Sequence, residues 1–216
     1  MLFSVGFYPE ILLAVFLGLL FIAWTLRLAF QAGLKFPVYP GCSPLEGTDT
    51  RDLMDEGKFW ALIRKARKRS GNSYVRQTEI LVELLKGERP EEIVKFQKAF
   101  VALLDRTNHF RLWERIYALN WGCSDDTFHY FRTWWIAQGK NKFYWTFHHP
   151  RLLYFVAIRD FLEAYEGIEY AADTAYKDLT GKELPLDDLG IGDTRGEPFS
   201  EGTVFLKYPE LAFLAW

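Results

Sequence analysis

The stretch GCSDDTFHYFRTWWIAQG, residues 122–139, carries the strongest fold signal in the chain. Ser124 is a favourable N-cap, and Asp125 and Asp126 then fall in a first helical turn. Acidic side chains there complement the helix dipole, by roughly 0.3 to 1 kcal/mol each. Gly139 stands where helices commonly end. The spacing therefore predicts one capped helix, with Ser124, Asp125 and Asp126 as its capping motif.

A broad apolar face covers most of this predicted helix. At 3.6 residues per turn, the face combines the rings of Phe128, Phe131, Trp134 and Trp135. A face this wide indicates that the helix is largely buried.

The same helix also carries a polar strip, which we define as Asp125, His129, Arg132 and Thr133. Asp125 and His129 have the (i, i+4) spacing that brings side chains together. One interpretation is a solvated edge in which Asp125 pairs with His129 or with an outside cation, and we favour it because most such strips are solvated. In the other, the strip lines a pocket walled by tryptophans, with His129 as acid or base, Asp125 orienting it and Arg132 holding an anion.

Helical periodicity continues on both sides of the quoted stretch. Asp55 is predicted to cap the first helix of the domain, with Met54 and Phe59 as a hydrophobic staple. No alternating strand pattern is found before Thr180, and residues 185–202, rich in Gly, Pro and Asp, predict a loop before a short closing element at 204–216. The further predicted helices are 56–69, 74–86, one from about 91, 110–120, 141–148 and 153–179. We therefore predict a mostly α protein, with about six or seven helices in an all-helical globular domain and an irregular C-terminal segment.

An apolar run from Ile11 to Leu26 contains no charge and continues past Arg27 to Phe30. About 20 such residues suffice to cross a hydrocarbon core of roughly 30 Å, so residues 1–32 are predicted to form a transmembrane anchor. A cleaved signal peptide is the rival, but no Lys or Arg precedes the run and no A-x-A site follows it. A buried core helix is a further alternative.

Positive charge lies only after the apolar run, at Arg27 and Lys35, which favours an N-terminus outside and a domain inside. Cys42 and Cys123 are far apart in sequence and have no CxxC spacing. This favours a protein of a reducing compartment over a disulfide-linked secreted domain. The predicted location is the inner membrane, single-pass, with a cytoplasmic domain. Residues 33–53, rich in Pro and Gly, are predicted to be an extended tether, and residues 54–216 the helical domain.

The segment RKARKR, residues 64–69, concentrates five positive charges soon after the tether. Near an anionic bilayer each could contribute about 1 kcal/mol. We therefore treat the five as lipid-contact candidates; the alternative is a solvated face, because acidic residues are frequent nearby. The five residues are Arg64, Lys65, Arg67, Lys68 and Arg69.

Several functional classes lack support in the sequence. The net charge of -2 gives no general attraction to nucleic acid. There is no Walker loop, GxGxxG, GxSxG or HExxH motif, and His148 and His149 diverge on a helix without a third ligand at metal-binding spacing. We predict no cofactor, no metal and no nucleic-acid partner. Cys123 is expected to be a packing residue and not a nucleophile.

Five segments give the chain a family resemblance, namely MDEGKFWALIRKAR, ILVELLKGERPEEIVKF, NWGCSDDTFHYFRTWWIAQG, GEPF and KYPEL. The chain resembles the bacterial family of domain of unknown function 4240 over Met54 to Leu211. The most distinctive part is Gly122 to Asp126 with Phe128, Phe131 and Arg132. The resemblance implies a largely helical bacterial cytosolic domain without an established activity, so it transfers no catalytic residue. The predicted membrane helix, and Phe199 where the family often has Trp, are departures.

Two functions are consistent with these features. We favour a membrane-anchored cytoplasmic helical module that binds a protein partner, a class that includes immunity and regulatory proteins. The alternative is an enzyme that acts on a small anionic substrate through Asp125, His129 and Arg132. The enzyme predicts that Glu114, Tyr117 or Asn120 converges on the polar strip.

Overall fold

The computed structural model describes residues 13–22, 24, 41, 43–71, 73–153, 166–186 and 190–208. Within these residues the domain is helical and has no strand, and one isolated parallel bridge joins His109 to Arg195. The predicted mostly α fold is confirmed. The helices are α1 (Glu56–Ser70), α2 (Tyr74–Lys86), α3 (Pro90–Arg106), α4 (Phe110–Asn120), α5 (Asp125–Ala137), α6 (Lys140–His148), α7 (Ala171–Thr180) and α8 (Glu201–Lys207), with 3-10 helices at Pro150–Leu152 and Glu166–Tyr170.

Local capping explains where these helices begin. The Asp55 carboxylate accepts a bond from the Lys58 amide at 2.9 Å at the start of α1, and Met54 and Phe59 are both buried beside it. Ser73 caps α2 in the same way, and Pro90 opens α3. Each of these starts lies within one residue of its predicted position, because the cap is a local feature of the sequence.

Aromatic contacts hold α1, α3, α5 and α6 together. The rings of Phe59 and Phe96 stack with centroids 4.8 Å apart, and Phe143 lies 5.6 Å from Trp60 and 4.6 Å from Trp135. Such pairs contribute about 0.5 to 1.5 kcal/mol beyond the area that they bury. The predicted apolar face of α5 is fully buried, so this prediction is confirmed.

The two buried indole N–H groups of α5 have partners on different helices. Trp134 Nε1 donates to the Tyr74 hydroxyl on α2 at 2.7 Å, and Trp135 Nε1 donates to Thr146 Oγ1 on α6 at 2.6 Å. A buried N–H without a partner would cost about 1 to 3 kcal/mol, so these bonds keep both rings compatible with the core. These two bonds therefore join α5 to α2 and to α6.

The region predicted as one helix from 153 to 179 differs from the prediction where it is described. Glu166–Tyr170 is a 3-10 helix, and α7 then runs to Thr180 and ends at Gly181, which has φ 68°. Gly167 has a poor helix propensity, and the tighter turn presents Glu169 to α5. Residues 154–165 lie outside the described part.

The C-terminal segment is also more regular than predicted. The helix α8 begins at Glu201, three residues before the predicted closing element, and Ser200 occupies its N-cap position. The loop prediction holds for residues 190–200 but not for the start of α8. Residues 209–216 of the predicted closing element lie outside the described part.

The end of the predicted tether lies against the domain instead of extending from it. Leu45 is buried, Ser43 Oγ donates to Glu56 Oε1 at 3.0 Å, and Arg106 Nε donates to the Pro44 carbonyl at 2.9 Å. One buried leucine and two polar contacts thus hold residues 43–53 on α1 and α3. Residues 33–40 and 42 lie outside the described part.

Of the predicted anchor at 1–32, residues 13–22 and 24 are described, and they are helical with exposed apolar side chains such as Leu17 and Phe21. The other residues of the predicted anchor lie outside the described part. In the part of the chain that the structure describes, none of the helices combines the length and the apolar character that crossing a bilayer requires.

Candidate functional site

The polar strip of α5 meets a carboxylate from a distant part of the chain. His129 Nε2 lies 2.6 Å from Glu169 Oε2, on the 3-10 helix before α7, and Thr133 Oγ1 donates to the same oxygen at 3.4 Å. An ionised carboxylate only accepts hydrogen bonds, so Nε2 is the protonated nitrogen of His129 in this contact. The side chains of His129 and Glu169 are 27% and 18% exposed, so the pair is only partly open to solvent.

Arg132 continues this chain of contacts into the protein interior and is 5% exposed. Its Nη1 donates to the Leu104 carbonyl at 3.0 Å, in the last turn of α3, and its Nη2 lies 3.5 Å from His129 Nδ1. The guanidinium is 4.7 Å from the ring centroid of Phe128, a cation–π contact. Hydrogen bonds therefore run from Arg132 through His129 to Glu169.

Burial lowers the pKa of Arg132 to about 10, although the carboxylates of Glu169 and Asp105 oppose that shift. Arg132 is therefore still positively charged at neutral pH. Its Nε is buried and has no hydrogen-bond partner among the described residues. The described neighbours of Arg132 therefore leave this buried donor unsatisfied.

Asp125 does not join the cluster. It is exposed in the first turn of α5, and its side chain makes no hydrogen bond or ion pair with the described residues. The ring of His129 turns toward Glu169 instead, because a 2.6 Å contact with a half-buried carboxylate is stronger than a solvated (i, i+4) pair. Ser124 caps the helix by accepting from the Thr127 amide at 3.2 Å.

The residues whose convergence on the strip would favour an enzyme point elsewhere. Glu114 Oε1 and Oε2 accept bonds from Lys207 Nζ at 2.8 and 2.7 Å, and the Tyr208 hydroxyl donates to Oε2 at 3.1 Å. The Tyr117 hydroxyl donates to Glu201 at 2.9 Å. These two residues of α4 therefore face α8, and not the strip on α5.

Asn120, the third of these residues, also bonds locally. Its Nδ2 donates to the Gly122 carbonyl at 2.8 Å, in the turn between α4 and α5. None of the contacts described for Glu114, Tyr117 and Asn120 reaches His129 or Arg132.

The basic segment of α1 lies mostly on the surface. Arg64, Lys65, Lys68 and Arg69 are exposed, Arg67 is half-buried, and none of the five forms an ion pair with a carboxylate of the described residues. A surface depression of about 590 Å³ lies between α1 and α2, and its lining carries both charges, so it does not favour an anion. The lining residues are Arg69, Arg76, Glu79, Ile80, Glu83 and Leu84.

Positive charge is also concentrated between α1 and α6. Burial, and then the positive charge of Arg67, lowers the pKa of Lys142 to about 8. The Lys142 ammonium donates to Gln138 Oε1 at 3.3 Å and has no described carboxylate as an ion-pair partner. Arg67 and Lys142, both half-buried, are therefore close enough for their charges to repel each other.

Cys123 has the environment of a packing residue. Burial raises the pKa of its thiol to about 12, so almost none of it is thiolate at neutral pH. Trp113 Nε1 donates to the Cys123 carbonyl at 2.8 Å, which fixes the backbone before α5. Within the described residues, no group of three His, Cys, Asp or Glu side chains is arranged to hold a metal ion.

Sequence reasoning missed Glu169 and the contact of Glu114 with Lys207. Their partners are 40 and 93 positions away, and a helical wheel relates only residues of one helix. One signal was available for Glu114, which shares its face of α4 with the buried Ala118 four residues on. A carboxylate on an apolar face predicts a buried partner, although not its identity.

Comparison with known proteins gives one match. Residues 54–178 match the model of the family described as Protein of unknown function (DUF4240). The match includes the polar strip, Glu169 and Glu114, and it ends before α8. No curated protein and no solved structure matches the chain.

Proposed function

This chain belongs to the DUF4240 family, and we propose that it is a membrane-anchored module whose helical domain binds a protein partner at the cytoplasmic face of the inner membrane. The proposed single-pass anchor is residues 1–32, with the N-terminus outside. The uncharged apolar run from Ile11 to Leu26 supports the anchor, and Arg27 and Lys35 behind it support the orientation. The helical backbone at 13–22 is compatible with both.

The main observation that favours a binding module over an enzyme is that the polar strip makes its contacts with other parts of the protein. His129 contacts Glu169 through one ring nitrogen and Arg132 through the other, and Arg132 lies in the interior. A general acid or base has to exchange its proton with a bound substrate. Because both ring nitrogens of His129 face protein groups, the strip is better suited to joining α5, α3 and the 3-10 helix than to catalysis.

The basic segment of α1 supports a location at an anionic membrane surface. Its four exposed cations are not neutralised by described carboxylates, and each would contribute about 1 kcal/mol beside anionic headgroups. The docked end of the tether is close to further positive charge. Tyr144 donates to Ser43 Oγ at 3.3 Å, and Lys140 lies 5.1 Å from the ring centroid of Tyr144. Cations therefore lie next to the segment that leads to the proposed anchor.

Anchoring and orientation are tested on the full chain in native membranes. We expect alkaline carbonate to leave the protein in the membrane pellet. Trypsin should digest the helical domain in inside-out vesicles and spare it in intact spheroplasts. Release into the carbonate supernatant would contradict the anchor, and digestion of the domain in spheroplasts would contradict the orientation.

Lipid contact is tested by lysine acetylation of the full chain in nanodiscs. Lys65 and Lys68 should react severalfold more slowly in bilayers with 30% phosphatidylserine than in pure phosphatidylcholine, while Lys98 and Lys182 serve as controls in the same molecule. High salt should remove the difference, because it screens exposed charges. Equal acetylation rates of Lys65 and Lys68 in both bilayers would contradict the lipid contact.

The enzyme remains a second candidate because of one observation, the buried and unpartnered Nε of Arg132. An anion that reached this atom would place the His129 and Glu169 pair beside it. Calorimetric titration of the full chain with inorganic phosphate tests the idea. Binding that is lost in Arg132→Lys would favour the enzyme, and no binding to the wild type would remove this support.

A further inference from the structure

The helix α8 lies on α4 in a small contact of its own. Ala118 of α4, Val204 of α8 and Tyr208 form a buried cluster that is separate from the main core. Tyr117, Leu119 and Phe199 pack against this cluster and are only partly buried. Three buried side chains give α8 far less apolar support than the helices of the main core have.

A buried carboxylate is the main polar feature beneath α8. The side chain of Glu114 is 6% exposed, whereas its partner Lys207 is 57% exposed. A buried carboxylate without a cation is strongly unfavourable, so this face of α4 requires an ammonium or a guanidinium above it. The Tyr208 hydroxyl, at 3.1 Å, completes the site. The chemistry of the groove is therefore specific, and any helix that carried the same groups could satisfy it.

A strained residue borders the same groove. Trp121 has φ 56° and ψ 35°, a left-handed conformation that costs about 1 to 2 kcal/mol for a residue with a side chain. Its ring lies 5.0 Å from the ring of Phe205 on α8, yet Trp121 is 54% exposed. Glycine would fit this backbone without strain, so the ring contact with a docked helix gives a reason for tryptophan here. Strain of this kind concentrates at binding sites.

Among the described residues, the segment that precedes α8 links this helix to the rest of the domain. Arg195 forms an ion pair with Asp105 at 3.2 Å, and the Arg195 amide donates to the Asn108 carbonyl at 3.1 Å. We call residues 190–195 the strap. Between the strap and α8 lie only residues 196–200, beginning with Gly196, which has φ 88°. Five extended residues reach roughly 17 Å, so α8 can leave the groove while the strap stays in place.

We propose that the groove formed by Glu114, Tyr117, Ala118 and Trp121 is the surface through which the module binds its partner, and that α8 occupies this groove in cis. The partner presents a short helix with an aliphatic side chain, followed one turn later by a cation and a phenol, as Val204, Lys207 and Tyr208 do. The proposal rests on the proposed binding function and adds its docking surface and its regulation. The family match ends at residue 178, so the covering helix lies outside the matched region.

Peptide binding to the full chain tests the proposal. The probe is a fluorescent peptide of residues 198–208, PFSEGTVFLKY. In Lys207→Glu a second carboxylate faces Glu114 and should release α8, so this variant should bind the peptide at least about tenfold more tightly than the wild type. In the wild type only the open fraction of molecules can bind. The charge swap Glu114→Lys with Lys207→Glu should close the groove again and return peptide affinity to the wild-type level or below.

Hydrogen exchange of residues 201–208, measured on the same samples, reports whether α8 has been released. Val204→Asp is the second opening variant, in case Lys207→Glu perturbs the fold. If α8 is open in either variant and the peptide binds no better than to the wild type, the groove is not a docking site. If α8 stays closed in both variants, it is not a displaceable occupant and the proposal fails. Membrane extraction is measured separately, so loss of the anchor would contradict the proposed function without affecting this result.

Discussion

The body of the domain, from α1 to α7, and the arm, residues 190–208, are held by different forces. Stacked rings such as Phe59 and Phe96 bury the helices of the body against one another. The arm relies mainly on the ion pair of Arg195 and on the contact of Lys207 with Glu114, with only one small apolar cluster at Val204. Exposing the buried rings of the body to water is strongly unfavourable, so its helices stay packed. An ion pair at the surface can instead be re-formed with another chain that presents the same charged groups. The comparison therefore separates a permanent scaffold from an exchangeable cover.

Two tryptophans, one in each region, should differ most in their contribution to stability. In the body, Trp135→Ala should lower the free energy of unfolding by about 3 to 5 kcal/mol, because it leaves a cavity and removes the bond to Thr146. In the arm contact, Trp121→Gly should change it by less than about 1 kcal/mol, because relief of backbone strain offsets the lost ring contact. Urea denaturation measures both. Similar losses in the two variants would contradict the division into body and arm.

Gly196, directly after the strap, should be sensitive to one added methyl group. A Cβ on Gly196 would lie 2.5 Å from His109 Cε1, at a φ of 88° that also disfavours a side chain. Gly196→Ala should therefore cost about 2 to 4 kcal/mol of local stability, from overpacking and strain, and expose residues 190–208 to hydrogen exchange. Gly190→Ala, which meets nothing within 4 Å, is the matched control. An unchanged exchange pattern in Gly196→Ala would show that the close packing of Gly196 on His109 does not hold the arm in place.

The polar cluster of α5 is expected to act as a structural link within the body. His129→Ala should cost about 2 kcal/mol, because a charge-assisted bond is lost and Glu169 keeps a half-buried carboxylate without its closest partner. A double-mutant cycle with Glu169→Gln isolates the pair. A coupling energy near zero would mean that the contact contributes nothing to stability and would revive the catalytic interpretation of His129.

The smallest effect is a pH dependence at the start of α4. His109 Nδ1 accepts a bond from the Arg111 amide, and burial, then the charges of Arg111 and Arg195, lowers the pKa of His109 below 6.5. The unfolded state therefore takes up the proton first. His109 stabilises the fold fully above pH 6.5, and this contribution is lost as the pH falls from there through the folded pKa. His109→Asn, which caps without titrating, should have a flatter dependence of unfolding free energy on pH between pH 7 and 5. Identical profiles would contradict the lowered pKa of His109.

Much of the body could be predicted because its signals are local. Asp55 and Ser124 mark helix starts by their own side chains, and the rings of α5 repeat at helical spacing. The positions of Glu169 and Lys207 could not be predicted, since each meets a partner that is distant in sequence. The sequence predicts Asp125 as a partner of His129 on the same helix. In the structure the partner of His129 is Glu169 instead, because the tertiary contact is stronger than the (i, i+4) pair.

The structure of the arm could likewise be predicted only in part from its sequence. Residues 185–202 were predicted as a loop from their Gly, Pro and Asp content, which describes 190–200 well. The early start of α8 depends on the contacts of Glu201 with Tyr117 and of Val204 with Ala118. Such a short helix is marginal by itself and requires a surface to pack on, so composition alone does not predict it.

Native-state hydrogen exchange of the full chain tests the division into body and arm most directly. We expect amides of α8 to exchange through a local opening, with a much lower opening free energy than those of α3 and with little dependence on denaturant. Equal opening free energies for α8 and α3, falling together as denaturant is added, would contradict it. The arm would then be an integral part of the fold and not an exchangeable cover.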